Sequence, residues 1–127
     1  MAQVLIIDDE APIVDLLADI VEERGHAVVR ASNGISGLAL ARVAHPDLII
    51  SDVMMPLLDG YSLLRALRSE PELAHIAVVL VSAGFPRSGQ LQSNPPADAY
   101  LYKPFDITAV ESILDQLPLE ANGNHKA

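Results

Sequence analysis

The fold of this chain is decided by residues 47–60, which read Asp47-Leu48-Ile49-Ile50-Ser51-Asp52-Val53-Met54-Met55-Pro56-Leu57-Leu58-Asp59-Gly60. Residues 48–50 form a short apolar run between polar residues, a pattern that is typical of a strand buried on both faces. Asp52 then lies at the C-terminal end of that strand. In open α/β sheets this edge forms the ligand-binding crevice, because helix N-termini direct positive charge into it. The position of Asp52 therefore predicts a functional site whose other members come from other strand ends.

Further apolar runs indicate more strands, so that five predicted strands lie at residues 4–7, 26–31, 48–50, 76–81 and 100–102. Helices fit the segments between them. The first begins near Pro12 and ends at Gly25, and the second spans residues 35–44. The third ends near Glu70, because a residue before proline avoids helical backbone angles. Asp106 is expected to cap a last helix. The alternation predicts an α/β fold, a doubly wound parallel sheet with helices on both faces.

Residues 84–99 interrupt this regularity. They contain two glycines and three prolines, which argue against a long, stable helix. We therefore expect the fourth helix, which should lie in this segment, to be short or irregular. We also predict one domain over residues 1–118, followed by a polar C-terminal tail at residues 119–127.

Composition and charge restrict the classes of function. The chain has 127 residues, of which 50% are hydrophobic, enough for the core of one domain. It has no cysteine, which excludes a disulfide framework, a thiolate metal site and a cysteine nucleophile. A net charge of −9 with eight scattered Lys and Arg residues argues against binding to nucleic acid or anionic lipid. No apolar run reaches the roughly 18 to 20 residues that cross a bilayer, so we expect a soluble cytoplasmic protein.

Functional side chains stand at the ends of four predicted strands. The acidic run Asp8-Asp9-Glu10 follows the first strand, Asp52 ends the third, Ser82 follows the fourth and Lys103 follows the fifth. In a parallel sheet these ends share one edge, so we expect the side chains to lie close together. Neighbouring carboxylates raise one another's pKa unless a cation compensates their charge. Because hard oxygen ligands suit Mg²⁺, the sequence predicts a magnesium site at this edge.

Each residue also has a simpler interpretation when it is taken alone. Asp8 could equally favour a helix N-terminus, Ser82 could bond to nearby backbone, and Lys103 could be a surface charge. Tyr100 could be a core aromatic residue. Gap filling or turn formation would explain a further set, which comprises Met54, Met55, Asn33-Gly34 and Asp59-Gly60. The four histidines lack metal-ligand spacing. It is the joint occurrence of the acids and the lysine at matching strand ends that favours a functional site.

Four motifs in this order resemble a known family. They are Asp8-Asp9-Glu10, Asp52-x-x-Met55-Pro56-x-x-Asp59-Gly60, Ser82-Ala83 and Lys103-Pro104-Phe105. Together they are similar to the receiver domain of two-component response regulators, and the similarity covers residues 3–117. The resemblance implies a flavodoxin-like (βα)₅ domain with strand order 2-1-3-4-5. It also implies a cis peptide bond between Lys103 and Pro104.

The resemblance further implies a role for the acidic motif residues. Asp52 would accept a phosphoryl group from the phosphohistidine of a histidine kinase. Asp8 and Asp9 would hold Mg²⁺ together with Asp52 and the backbone carbonyl of Met54. Glu10 would be at most a peripheral member of this site.

Three more residues match the part of the family's site that responds to the phosphoryl group. Lys103 would contact the phosphoryl oxygens, Ser82 would hydrogen-bond to them, and Tyr100 would change rotamer as that hydroxyl moves. The implied partners are a sensor histidine kinase or phosphotransfer protein, and a downstream protein target that the sequence does not identify. We expect a monomer or weak dimer with no enzymatic activity on a separate substrate.

Two features depart from the family pattern. Residues 84–99 do not read as the regular fourth helix of the family. No output domain follows Leu117, so we expect either a stand-alone receiver or one module of a longer protein. Two other hypotheses stay open. One is a pseudo-receiver that acts as a constitutive protein-interaction module, and the other is a Mg²⁺-dependent phosphohydrolase that works through an aspartyl phosphate.

Overall fold

The computed structural model describes residues 2–83 and 96–117, which contain five strands and four helices. The strands are β1 (Gln3–Ile7), β2 (Ala27–Ala31), β3 (Leu48–Asp52), β4 (Ala77–Ala83) and β5 (Ala99–Lys103). The helices are α1 (Ala11–Glu23), α2 (Gly34–Ala44), α3 (Gly60–Ser69) and α4 (Ile107–Gln116). Neighbouring strands pair in parallel in the order β2-β1-β3-β4-β5. The α/β fold predicted from the sequence and the strand order implied by the resemblance are both confirmed.

The strands alternate their side chains between two hydrophobic layers, one on each face of the sheet. In β1, Val4 and Ile6 belong to the layer that α1 and α4 cover, whereas Leu5 and Ile7 belong to the layer under α2 and α3. All four side chains are fully buried. Because both faces are covered, the central strands need no polar side, and they read as continuous apolar runs in the sequence.

Three helices begin at a residue whose side chain accepts a hydrogen bond from the first turn. Asn33, Asp59 and Asp106 each accept from the backbone N–H three residues further on, at 2.8 Å. The capping prediction for Asp106 is confirmed, whereas the turn interpretation of Asn33 and Asp59 is incomplete, because both are also N-caps. Helix α1 instead has Pro12 in its first turn and stops before Gly25, whose φ of 89° suits glycine.

Strands β4 and β5 are longer than the sequence predicts. β4 continues to Ala83 and β5 reaches Lys103, because Ser82 pairs with Tyr102 and Ala83 pairs with Lys103. Ser82 and Lys103 therefore sit on regular strand backbone rather than on the loops that follow. The peptide bond between Lys103 and Pro104 is cis, as the resemblance implies.

Some of the predictions fall on parts of the chain outside the described residues. Residues 84–95, which hold most of the predicted irregular fourth helix, are among these parts, and so is the predicted tail at residues 119–127. Within residues 2–83 and 96–117, no helix combines the length and the apolar character needed to cross a bilayer.

Leu57, in the loop between β3 and α3, adopts a backbone conformation that suits its side chain poorly. Its φ is 76°, in the left-handed region, and the residue is 73% exposed. A leucine there is strained by about 1 kcal/mol, whereas asparagine tolerates the region. We expect Leu57→Asn to raise the free energy of unfolding by about 0.5 to 1 kcal/mol in urea unfolding. Val43→Asn, at an exposed helical position, is the control. An equal gain in both variants would contradict the explanation by strain.

Candidate functional site at the carboxyl edge of the sheet

Two buried acids lie side by side at the carboxyl edge of the central strands. Asp52 is the last residue of β3, and Asp8 follows directly after Ile7 of β1, which pairs with Ser51. Asp8 is 3% exposed and Asp52 is 5% exposed, while Asp9 is exposed. One carboxylate oxygen from each of these three acids lies within 4.8 Å of the other two. The sheet therefore brings together the acids singled out in the sequence.

Lys103 extends toward this cluster from the end of β5. Its Nζ lies 3.5 Å from Asp52 Oδ1, 3.7 Å from Asp8 Oδ2 and 3.3 Å from Glu10 Oε1. The ammonium group donates a hydrogen bond to Glu10. Because β4 separates β5 from β3, the long lysine side chain has to span that strand to reach the acids. The structure thus places the lysine next to the acids, as the strand-end argument predicts.

The acids have altered proton affinities because they are buried next to one another. Burial and the charge of Asp8 raise the pKa of Asp52 to about 6, against the opposing effect of Lys103. Burial also raises the pKa of Asp8, although the backbone N–H of Glu10 donates to its Oδ1 at 2.9 Å and lowers that pKa. Burial alone would lower the pKa of Lys103, but the charges of Asp52 and Asp8 raise it overall. The site therefore holds more negative charge than the lysine balances.

One buried oxygen of the cluster has no hydrogen bond. Asp8 Oδ2 is shielded from solvent and accepts no hydrogen bond from the described residues, and its 3.7 Å distance to Lys103 Nζ is too long for one. Buried polar atoms without a partner are rare in folded proteins. The carboxylates of Asp8, Asp9 and Asp52 are hard oxygen ligands of the kind that Mg²⁺ binds. The donor set therefore fits a divalent cation.

Met54 lies close to Asp52 along the chain, and Ser82 lies close to it across the sheet. Ser82 is 8% exposed and directly follows Val81, the residue that pairs with Asp52. Its hydroxyl lies 3.5 Å from the carbonyl oxygen of Ala83, at the long limit of a hydrogen bond, and could exchange this contact for a better acceptor. Met54 stands two residues past Asp52 and is 74% exposed, so the gap-filling interpretation is wrong for it.

Tyr100 is half-buried on β5. Its side chain packs against the hydrophobic layer under α2 and α3, and its hydroxyl accepts a hydrogen bond from the backbone N–H of Ala97 at 3.1 Å. Tyr61 of α3 packs against the same layer, and burial together with the neighbouring Tyr100 raises the pKa of Tyr61. This conformation fits the interpretation of Tyr100 as a core aromatic residue, and its change of rotamer stays a prediction.

Two contacts of the site are absent from the sequence-based prediction. Glu10, expected to be peripheral, makes the shortest contact with Lys103. Gly60 lies against the backbone of the strand end, because a Cβ at this position would stand 2.6 Å from the Asp52 carbonyl oxygen and 2.9 Å from Val53 Cα. The Asp59-Gly60 sequence is a visible signal for the close approach of Gly60 to the strand end. The signal for the Glu10 contact is a long acidic side chain at the N-cap position of α1, where short side chains are preferred.

A family model described as the response regulator receiver domain matches residues 4–115. The chain belongs to this family. The interpretation drawn from the four motifs is therefore confirmed, and the receiver domain functions in signal transduction by two-component systems.

Solved structures and relatives resemble this receiver domain over most of its length. Chemotaxis response regulator CheY4 of Vibrio cholerae superposes with a TM-score of 0.83 at 28% identity, covering 91% of this chain and 97% of that one. The receiver domain of sensor histidine kinase PA1611 from Pseudomonas aeruginosa, with magnesium in its active-site cleft, gives a TM-score of 0.80 at 23% identity, with coverage of 90% and 94%. The DNA-binding dual master transcriptional regulator RpaA of Synechocystis is 40% identical over 112 residues. The match covers 84% of this chain and 45% of RpaA, so the receiver domain spans less than half of that relative.

Proposed function

We propose that this receiver domain accepts a phosphoryl group on Asp52 in a two-component phosphorelay and signals through a changed surface. The proposal depends on the position of Asp52, which ends β3, is buried beside Asp8 and Asp9, and lies 3.5 Å from Lys103 Nζ. An ionised carboxylate in such a place is a nucleophile for phosphoryl transfer. Because its pKa is raised only to about 6, Asp52 is mostly ionised at neutral pH.

In the proposed transfer, a carboxylate oxygen of Asp52 attacks the phosphorus of a phosphohistidine on a sensor histidine kinase or phosphotransfer protein. The O–P bond forms as the P–N bond breaks, and the electron pair of that bond stays on the imidazole, which takes up a proton. Lys103 contacts the phosphoryl oxygens through Nζ, and the Ser82 hydroxyl donates a hydrogen bond to one of them. Such positioning and charge neutralisation account for most of the catalysis of phosphoryl transfer. Water later attacks the phosphorus, which releases phosphate and restores the carboxylate.

We assign a Mg²⁺ ion to the carboxylates of Asp8, Asp9 and Asp52 and the backbone carbonyl of Met54. The buried Asp8 Oδ2, which accepts no hydrogen bond from the described residues, and the three clustered carboxylates support this assignment. When bound, Mg²⁺ neutralises charge on the carboxylates and on the incoming phosphoryl oxygens. The magnesium ion in the cleft of the PA1611 receiver domain, which has the same fold, is consistent with it.

Ser82 and Tyr100 are the residues we propose to transmit the phosphorylated state. As the Ser82 hydroxyl turns toward the phosphoryl group, Tyr100 leaves its contact with the Ala97 backbone for another rotamer, and the surface around β5 changes. The partner that binds this surface is proposed to be a protein, because a net charge of −9 disfavours nucleic acid and anionic membranes. We further propose a cytoplasmic monomer or weak dimer, with its domain at residues 1–118 and no separate substrate.

Fluoroberyllate, a stable mimic of the phosphoryl group on aspartate, tests this function. Beryllium fluoride and Mg²⁺ are added to ¹⁵N-labelled protein, and amide spectra are compared. We expect saturable shifts around Asp52 that extend to Tyr100 and go beyond the shifts that Mg²⁺ alone causes. The Asp52→Asn variant should show none of these shifts. An unchanged wild-type spectrum would overturn the proposal and favour a constitutive interaction module.

Asp9→Ala is expected to weaken Mg²⁺ binding by about tenfold or more, because one of three carboxylate ligands is lost. Isothermal titration calorimetry measures this change. Since Asp9 is exposed, the unfolding temperature without Mg²⁺ should stay close to that of the wild type. Asp19→Ala, which removes an exposed acid further along α1, is the control and should bind Mg²⁺ like the wild type. Equal losses in the two variants would place the metal elsewhere.

A further inference from the structure

Glu10 makes a contact that the proposed function does not use. Its Oε1 lies 3.3 Å from Lys103 Nζ and accepts a hydrogen bond from it, although 93 residues separate the two along the chain. The same ammonium group lies 3.5 Å from Asp52 and 3.7 Å from Asp8. Lys103 is therefore shared among acids, and its closest partner is Glu10 rather than the proposed phosphoacceptor Asp52.

Hydrogen bonds fix the position of the Glu10 backbone, and therefore the point from which its side chain extends. Its carbonyl oxygen accepts hydrogen bonds from Ile13 and Val14 in the first turn of α1, and its N–H donates to Asp8 Oδ1. Glu10 is the N-cap residue of α1, yet its side chain makes no capping hydrogen bond. Short polar side chains are preferred at this position because they can cap the helix. The longer glutamate reaches Lys103 instead, at the expense of that cap.

We propose that Glu10 is a positioning residue that retains Lys103 in the unphosphorylated state and so opposes binding of the phosphoryl group. This inference rests on the proposed function. Lys103 must give up or weaken its contact with Glu10 to bind phosphoryl oxygens, and the Glu10 carboxylate also repels them. Because the Glu10 side chain is 61% exposed, water screens this pair, and the competition is worth a few-fold rather than orders of magnitude.

Substitution of Glu10 should change the affinity for Mg²⁺ and the affinity for a phosphoryl mimic in opposite directions. Removing the carboxylate lowers the negative charge that attracts Mg²⁺, and it also frees Lys103 to move toward Asp52, so Mg²⁺ should bind more weakly. At saturating Mg²⁺, the same change should strengthen the binding of a phosphoryl mimic. A residue that only supported the local structure would weaken both ligands together or leave both unchanged.

Glu10→Gln and Glu10→Asp separate the contact from the charge. Glutamine removes the charge, whereas aspartate keeps it but is one methylene too short to hold Lys103 at 3.3 Å. Fluoroberyllate affinity at saturating Mg²⁺ is measured by NMR titration, and Mg²⁺ affinity by calorimetry. Glu23→Gln is the matched control, since it makes the same change at the opposite end of α1, about 20 Å away.

We expect both Glu10 variants to bind fluoroberyllate about two- to fivefold more tightly than the wild type, with Glu23→Gln unchanged. Glu10→Gln should also bind Mg²⁺ about twofold more weakly. If both Glu10 variants bind fluoroberyllate with the same affinity as the wild type, this inference is wrong while the proposed function stands. The same holds if Glu10→Gln binds fluoroberyllate more tightly but Glu10→Asp does not. Failure of the wild type to bind fluoroberyllate at all would instead overturn the proposed function, and this inference with it.

Discussion

Asp52→Asn is expected to raise the free energy of unfolding of the Mg²⁺-free protein by about 2 to 3 kcal/mol near pH 7.5. Burial and the neighbouring Asp8 raise the pKa of Asp52 from 3.8 to about 6 in the folded protein. The folded state then binds the proton more tightly than the unfolded state, so wild-type stability falls as the pH rises from about 4 to about 6. The ionised carboxylate destabilises the fold above this range, and asparagine removes that effect.

The difference between the two proteins should depend on pH and on Mg²⁺. Near pH 3 or below, Asp52 is largely protonated in both the folded and the unfolded state, and the two proteins should have similar stability. Saturating Mg²⁺ near neutral pH should stabilise the wild type more than the variant, because the variant lacks one ligand. Urea unfolding in each condition measures these effects. Asp15→Asn, which neutralises an exposed acid paired with Arg30, is the control. A pH-independent difference for Asp52→Asn would contradict the assigned cause.

Gly60→Ala is expected to destabilise the fold by about 3 kcal/mol, because a β-carbon would stand 2.6 Å from the Asp52 carbonyl oxygen. The atoms that this β-carbon would contact belong to the backbone, which cannot rotate aside as a flexible side chain would. Relief of the contact would move the end of β3, and Asp52 with it. We therefore expect the surviving folded protein also to bind Mg²⁺ several-fold more weakly.

Gly25→Ala is the matched control for Gly60→Ala. Gly25 has open space around its missing β-carbon but a φ of 89°, so alanine there is strained without a collision. We expect a cost of about 1 kcal/mol and unchanged Mg²⁺ binding. Urea unfolding and calorimetry give both quantities. Mg²⁺ binding by Gly60→Ala that equals that of Gly25→Ala would show that Gly60 does not position Asp52.

The fold and the main members of the site could be predicted because they follow from periodicity and topology. Strands such as β3 are buried on both faces and appear as continuous apolar runs. Once these strands are taken as parallel, Asp8, Asp52 and Lys103 have to meet at one edge, whatever the exact strand lengths are.

Other features could not be predicted, because they depend on packing and on side-chain conformation. The contact of Glu10 with Lys103 depends on the direction in which two long, flexible side chains point; the long acid at the N-cap position of α1 does not by itself identify Lys103 as its partner. Leucine rarely adopts a positive φ, so arguments from residue preference do not predict the backbone conformation of Leu57. The extension of β4 through Ser82 depends on pairing with β5, some twenty residues further along the chain.

Phosphorylation of Asp52 itself is tested most directly by the intact mass of the protein after incubation with acetyl phosphate. The wild type should gain the mass of one phosphoryl group only when Mg²⁺ is present, and alkaline hydroxylamine should remove it, as it does for acyl phosphates. Asp52→Asn should gain none, while Asp15→Asn should behave like the wild type. A phosphoryl adduct on Asp52→Asn equal to that of the wild type, or no adduct on the wild type with Mg²⁺, would contradict the assignment of Asp52 as the phosphoacceptor.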